Sequence, residues 1–236
     1  MEQKNNRWIK LSILLAFLLL VLVLYKSGTF HFFMDKNKII SFLNSFGPFS
    51  FIGFILLQIL QVVAAPIPGE VTGFIGGYIY GVLLGIILST IGLTLGSWLA
   101  FILSKTFGRP FTEKFIKKEA IKRYNYLLKH RKAAFLVFLL FLIPGFPKDY
   151  LCYILGLGPM STMEFLVIST AGRFSGTVLL TLGGSYIRKH QYYNFSILLG
   201  IAIVIVLISM AYRDKLEKLF HKWHSYTLKV SLKNKK

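Results

Sequence analysis

Residues 64–81 read AAPIPGEVTGFIGGYIYG: two prolines, a glycine and an acid inside one of the most apolar regions of the chain. Hydrocarbon offers no water to a broken backbone, so a segment at membrane depth must satisfy its own peptide groups. Pro66, Pro68 and Gly69 interrupt the helix that would do so, and Glu70 adds a carboxylate that is expensive to hold there. A chain tolerates this only where protein buries the break or the break lines a wet cavity. The stretch therefore predicts an all-α membrane protein whose chain turns back at depth.

Composition agrees. The chain is 55% hydrophobic and 16% charged, against about 25% charged in soluble domains. The net charge of +19 lies in tails and loops that flank apolar runs, which is the positive-inside pattern. No basic face interleaved with aromatics and no zinc spacing accompanies it, so nucleic acid is excluded as a partner. Membrane lipids with anionic headgroups are the expected partners, and a homo-oligomer is compatible with the sequence. The single cysteine, Cys152, allows no intramolecular disulfide and no cysteine-based metal site. His31, His130, His190, His221 and His224 fall in tails or loops away from the acids. With no phosphate loop or nucleophile elbow, the sequence predicts neither an enzyme nor a metal or cofactor site.

The apolar segments are 8–26, 49–65, 71–104, 133–157, 161–187 and 193–212. Residues 8–26 are read as a retained span rather than a cleaved leader, because Tyr25-Lys26-Ser27-Gly28 is not a small-x-small site. Ile39, Ile40, Phe42, Leu43 and Phe46 recur at helical spacing and predict an interfacial helix over 35–47. Residues 105–132 carry ten lysines and arginines against Glu113 and Glu119, with Phe111, Phe115 and Ile116 between them. That pattern predicts an amphipathic helix on the cytoplasmic membrane surface. The N-terminus and the basic tail 213–236 belong on the same side. All three agree only if 49–78 and 133–157 are hairpins that return to the face they entered, leaving 8–26, 79–104, 161–187 and 193–212 to cross. The expected architecture is four spans plus two oppositely oriented re-entrant hairpins. It divides into an N-terminal anchor and interfacial helix (1–44), a central membrane domain (45–190), a last span (191–212) and a tail (213–236).

The second hairpin, FLIPGFPKDYLCYILGLG, breaks at Pro144, Gly145 and Pro147. Ile67-Pro68-Gly69 and Ile143-Pro144-Gly145 match at a spacing of 76, and Gly92 with Gly96 matches Gly172 with Gly176 at a spacing of 80. Small residues four apart let helices in lipid pack closely. Two hairpin-plus-span units of opposite orientation form an inverted repeat, the pattern of secondary transporters with the site at the broken helices. The ionisable residues there are Glu70, Lys148, Asp149, Glu164 and Arg173. Glu70, Lys148, Asp149 and Arg173 are the candidate substrate- or ion-binding residues; Glu164 sits near a mouth. A structural ion pair between Arg173 and Glu70 or Asp149 is the competing reading.

PIPGEVTGFIGGYIYG, GLTLGSWLAFILSKTFGR and FLIPGFPKDYLCYILGLGPMSTMEFLVISTAGRFSGTVLLTLGGS together resemble the DedA superfamily, also called the VTT or SNARE-associated Golgi family, and its Tvp-type branch more than DedA proper. The resemblance covers about residues 45–190. It implies a polytopic membrane protein with two facing re-entrant hairpins. Some bacterial members are implicated in recycling a polyprenyl-phosphate carrier and in proton-dependent membrane homeostasis, and eukaryotic relatives resemble phospholipid scramblases. By position, Glu70 corresponds to the acid of the first hairpin and Arg173 to the arginine of the later span. The chain departs from the pattern at Phe141 and at Pro147, where relatives carry arginines, and at Phe-Ser-Gly after Arg173, where they often carry a proline. Lys148 supplies a cation beside Pro147 but not a bidentate fork.

These features predict a transporter or flippase-like protein of the cell membrane, with both termini cytoplasmic, for a lipid or an anionic amphiphile and with proton coupling. A proton-coupled exporter of small solutes or ions and a membrane-organising protein are the alternatives.

Overall fold

The computed structural model describes residues 36–64, 69–116, 118–123, 134–143 and 146–208, with the backbone alone at Lys36, Glu70, Ala120, Lys122 and Arg123. The expected span 8–26, the tips Pro66, Pro68, Pro144 and Gly145, and the tail 213–236 lie outside them. Among the described residues every element is helical. Helix α1 is Lys36–Ser45, α2 is Ser50–Val63, α3 is Gly69–Phe115, α4 is Lys118–Arg123, α5 is Ala134–Leu142, α6 is Lys148–Gly156 and α7 is Thr162–Arg188. Helix α8 is Tyr192–Ile208.

Helix α3 bends where Gly81 (φ 78°) and Gly108 (φ 71°) take up a left-handed backbone, a region closed to most side chains. The bends divide it into an arm, 69–80, a long segment, 82–107, and a short end, 109–115. At 1.5 Å per residue the long segment extends about 39 Å, enough to cross a bilayer core of about 30 Å. Its exposed face carries Leu84, Ile87, Ile91, Leu95 and Trp98, an apolar stripe at helical spacing that suits acyl chains. Helices α3 and α7 are long and apolar enough to be membrane spans. Helix α8 is apolar but shorter, and its Phe195 packs edge-on against Phe74 of the arm.

The two expected units pack alike. In the first, α2 folds back on arm 69–80 and also lies along 82–107, where a Cβ at Gly92 would meet the Gln58 side chain and the Ile55 carbonyl. In the second, Gly172 of α7 meets the Phe141 side chain and the Phe138 carbonyl of α5 in the same manner. Contacts between the units also come in exchanged pairs. Gly77 abuts the Thr181 backbone, as Gly156 abuts that of Phe101. Gly184 abuts the Phe74 carbonyl, as Ser104 bonds the Tyr153 carbonyl. Gly85 meets the Thr181 side chain, as Phe101 stacks on Phe165 at 4.3 Å. In each pair, adding about 80 to one partner and subtracting it from the other gives the second contact. Segment 82–107 and α7 therefore run antiparallel and exchange places under an approximate two-fold. The sequence carries this directly, in STIGLTLGS (89–97) and STAGRFSGT (169–177).

A cation from each long helix reaches the other unit near its end. Arg188 Nη1 donates to the Ile79 carbonyl at 2.6 Å, and Lys105 Nζ donates to the Met160 carbonyl at 2.9 Å. Tyr153 joins the hairpins at the centre: its fully buried hydroxyl donates to the Val63 carbonyl, the last residue of α2.

Two expectations are corrected. Residues 105–132 do not begin a single surface helix. The long helix runs on to 107, Gly108 and Pro110 bend the chain, and Phe111, Ile116 and Ile121 are buried in the core around Tyr153. Helix α1 packs the fully buried Ile39 and Leu43 against Phe54, Leu57 and Ile75. Gly176 is not a close-packing position: its nearest neighbour is Lys148 Nζ, 3.8 Å from where a Cβ would stand. Gly77, Gly156 and Gly184 make the backbone approaches instead.

Gly77→Ala and Gly156→Ala should each cost about 3 kcal/mol, because the added methyl meets backbone that cannot move aside; Gly176→Ala should be neutral or slightly stabilising. Thermal unfolding in detergent ranks the three, and a Gly176→Ala loss as large as the others would refute the packing scheme. Tyr153→Phe should cost about 1–3 kcal/mol by stranding the Val63 carbonyl, read in the same assay.

Candidate functional site

The site grows from the second hairpin. Asp149 lies in the first turn of α6, where the positive end of the helix dipole favours a carboxylate. Arg173 lies in the middle of α7 with only 9% of its surface exposed. Its Nη2 donates to Asp149 Oδ1 at 2.9 Å and to Cys152 Sγ at 3.3 Å. The guanidinium carbon stands 5.3 Å from the centre of the Phe141 ring, within cation–π range. The Cys152 thiol donates in turn to the Lys148 carbonyl at 3.3 Å. One buried cation thus meets an acid and a thiol from α6 and a ring from α5.

Of the sequence-predicted residues, the fold brings Lys148, Asp149 and Arg173 together, with the Lys148 ammonium close to Gly176. Pro147 caps α6 from an exposed position. Glu70 opens arm 69–80, with only its backbone described. Glu164 sits in the first turn of α7, where its N–H donates to Ser161 Oγ, an N-cap at the helix mouth.

Two sets of residues, Arg173 apart, escaped the sequence reading. Gln58, Gln61 and Thr72 form a buried polar cluster at the first hairpin. Gln61 Nε2 donates to Gln58 Oε1 at 2.5 Å, and the Thr72 hydroxyl lies within reach of both carboxamide oxygens and of the Gly69 carbonyl. Two glutamines three apart in an otherwise apolar helix were the available signal. The second set lines a small pocket between the long helices: Thr90, Leu93, Thr94 and Ser97 face Thr170, Arg173, Phe174 and Thr177. Each of the first four, advanced by 80, gives one of the second four. Thr94 and Thr170 share a hydrogen bond of 2.9 Å across the pocket. The two-fold passes through the pocket, whose one charged wall is Arg173, with Leu93 in the equivalent place.

Removing Asp149 strands the buried Arg173 charge, at up to about 3–5 kcal/mol; removing Arg173 leaves a partly exposed carboxylate and costs less, whereas replacing both by apolar residues of similar size is often neutral. Arg173→Ala and Asp149→Asn should therefore each destabilise the protein and speed reaction of Cys152 with a small thiol reagent. The double variant Arg173→Met/Asp149→Leu should keep near wild-type stability. Equal stability of all four proteins would show that the Arg173 charge is not buried.

A family model described as the VTT domain matches residues 67–186, just over half of the chain. No curated protein matches the chain, and no solved structure does. The matched region holds the arm of the first hairpin, the second hairpin and both long helices, and the chain belongs to the VTT-domain family, the DedA and SNARE-associated proteins of membranes.

Proposed function

We propose that the chain is a transporter or flippase-like protein of the cell membrane, of the Tvp-type branch, that moves a lipid or anionic amphiphile without covalent chemistry. Its two units act as an inverted repeat of re-entrant hairpins and spans, four spans in all, with both termini cytoplasmic. The antiparallel exchange of 82–107 with α7, and the basic residues after 104, support this arrangement.

The observation that carries the proposal is the Arg173–Asp149 pair at 2.9 Å, its arginine buried and its carboxylate half-buried, set where the second hairpin meets α7 beside the small pocket. Such a pair adds little to stability over apolar packing, so its cost in a membrane core points to function. In this reading Arg173 and Lys148 receive the anionic headgroup as the hairpin arms part from the opposing long helices. Glu70 and Asp149 exchange it for a proton or for their partner cation, and the acyl chains stay against the apolar outer face. The small size of the pocket favours a second reading, a path for protons or small solutes.

Purified protein in liposomes tests both. Wild type should move a fluorescent anionic lipid between leaflets in a pH-dependent manner. Glu70→Gln, and the stably folded Arg173→Met/Asp149→Leu, should lose at least tenfold in rate. Proton flux with no lipid movement at any pH would replace the first reading by the second, and full lipid movement by the double variant would exclude the ion pair from the path.

A further inference from the structure

Neither packing nor backbone geometry requires a glycine at position 176. Among the described residues the glycines with a left-handed backbone are Gly47, Gly81 and Gly108, and no described backbone presses on Gly176. A glycine inside a helix is less stable than an alanine, so the position forgoes stability. Its counterpart Gly96 does have a reason: a Cβ there would meet Val62 Cβ at 2.9 Å and Ile59 Cα at 3.1 Å. The hairpins make the difference. Helix α2 runs on to Val63, so Gln58 and Val62, four apart, cover Gly92 and Gly96. Helix α5 ends at Leu142, one residue after the Phe141 that covers Gly172. Four residues on from Phe141 stands Gly145, which has no side chain to offer.

The result is a notch between α6 and α7. Gly176 is its floor, and the Lys148 ammonium stands 3.8 Å from where a Cβ would be. Residues three apart share a helix face, so the notch leads from Gly176 to Arg173 and its partner Asp149. Phe174 and Ser175 beside it are exposed, and Lys148, Asp149 and Gly176 are half-buried. The notch therefore opens on the outer surface, whereas the pocket between the long helices is closed. We propose that Gly176 is a specificity-determining residue: the missing side chain is the room in which an acidic headgroup reaches Lys148 from the lipid side. The inference rests on the transport reading and narrows its substrate to groups larger than a single ion, since a proton or a monatomic ion would not need that room.

Gly176→Ala and Gly176→Leu would be compared with wild type in phosphatidylcholine vesicles with and without phosphatidylglycerol. The nearest described atom is the tip of a flexible lysine, so both variants should unfold within about 2 °C of wild type. Movement of fluorescent phosphatidylglycerol should fall modestly in Gly176→Ala and by at least about tenfold in Gly176→Leu. Binding is read separately. Phosphatidylglycerol should protect Lys148 of wild type from an amine-acylating reagent, followed by peptide mass spectrometry, and should not protect it in Gly176→Leu. Full movement or full protection in Gly176→Leu would overturn the assignment and leave the transport reading standing. A large loss of Tm in Gly176→Ala would overturn it in favour of a packing role. Protection without movement in wild type would keep the assignment and overturn transport, and neither protection nor movement in wild type would overturn both.

Discussion

A helix broken inside an apolar interior leaves carbonyl and amide groups with no water to receive them, and much of this structure serves to receive them. Helix α2 ends at Val63, deep in the protein, and the Tyr153 hydroxyl from the opposite hairpin takes its last carbonyl. That bond requires α6 to lie against the first hairpin. The aromatic rings of Phe111 and Phe115 then hold Tyr153 in place, with Phe115 stacked on it at 5.5 Å. The bend at Gly108 is what delivers those two rings. The turn chemistry of one hairpin, the position of the other and the path of the chain after 107 are thus one problem with one solution.

Packing without a hydrophobic drive does the rest. In lipid, helices associate through close van der Waals contact and hydrogen bonds across the interface. Both are present between the units: Gly77 and Gly184 bring arm 69–80 and α7 into backbone contact, Gly156 brings α6 onto 82–107, and Thr94 bonds Thr170 where 82–107 crosses α7. The two-fold exchange is close in these contacts and is broken where chemistry is concentrated. Arg173 stands where the first unit has Leu93, and Phe141 stands where it has Gln58. One unit offers an ion pair with a thiol, the other a neutral carboxamide cluster.

The amino-acid sequence by itself determined the class of fold and the location of its exceptions. Apolar runs separated by basic segments dictate membrane helices, because charge and hydrocarbon do not mix. Pro-Gly pairs inside those runs dictate breaks in the helices, because proline lacks the donor and crowds the preceding turn. Asp149 and Arg173 were legible as candidates because an ion in such a segment needs a partner. Tertiary structure alone decided which acid pairs with Arg173, that Phe111 and Ile121 turn inward rather than lie on a surface, and which glycines touch backbone. These outcomes depend on which faces meet across two antiparallel helices, and the periodicity of one helix names its faces without naming their partners. The repeat was written in residues 89–97 and 169–177, yet its meaning, hydroxyls opposed around one arginine, exists only once the two segments cross.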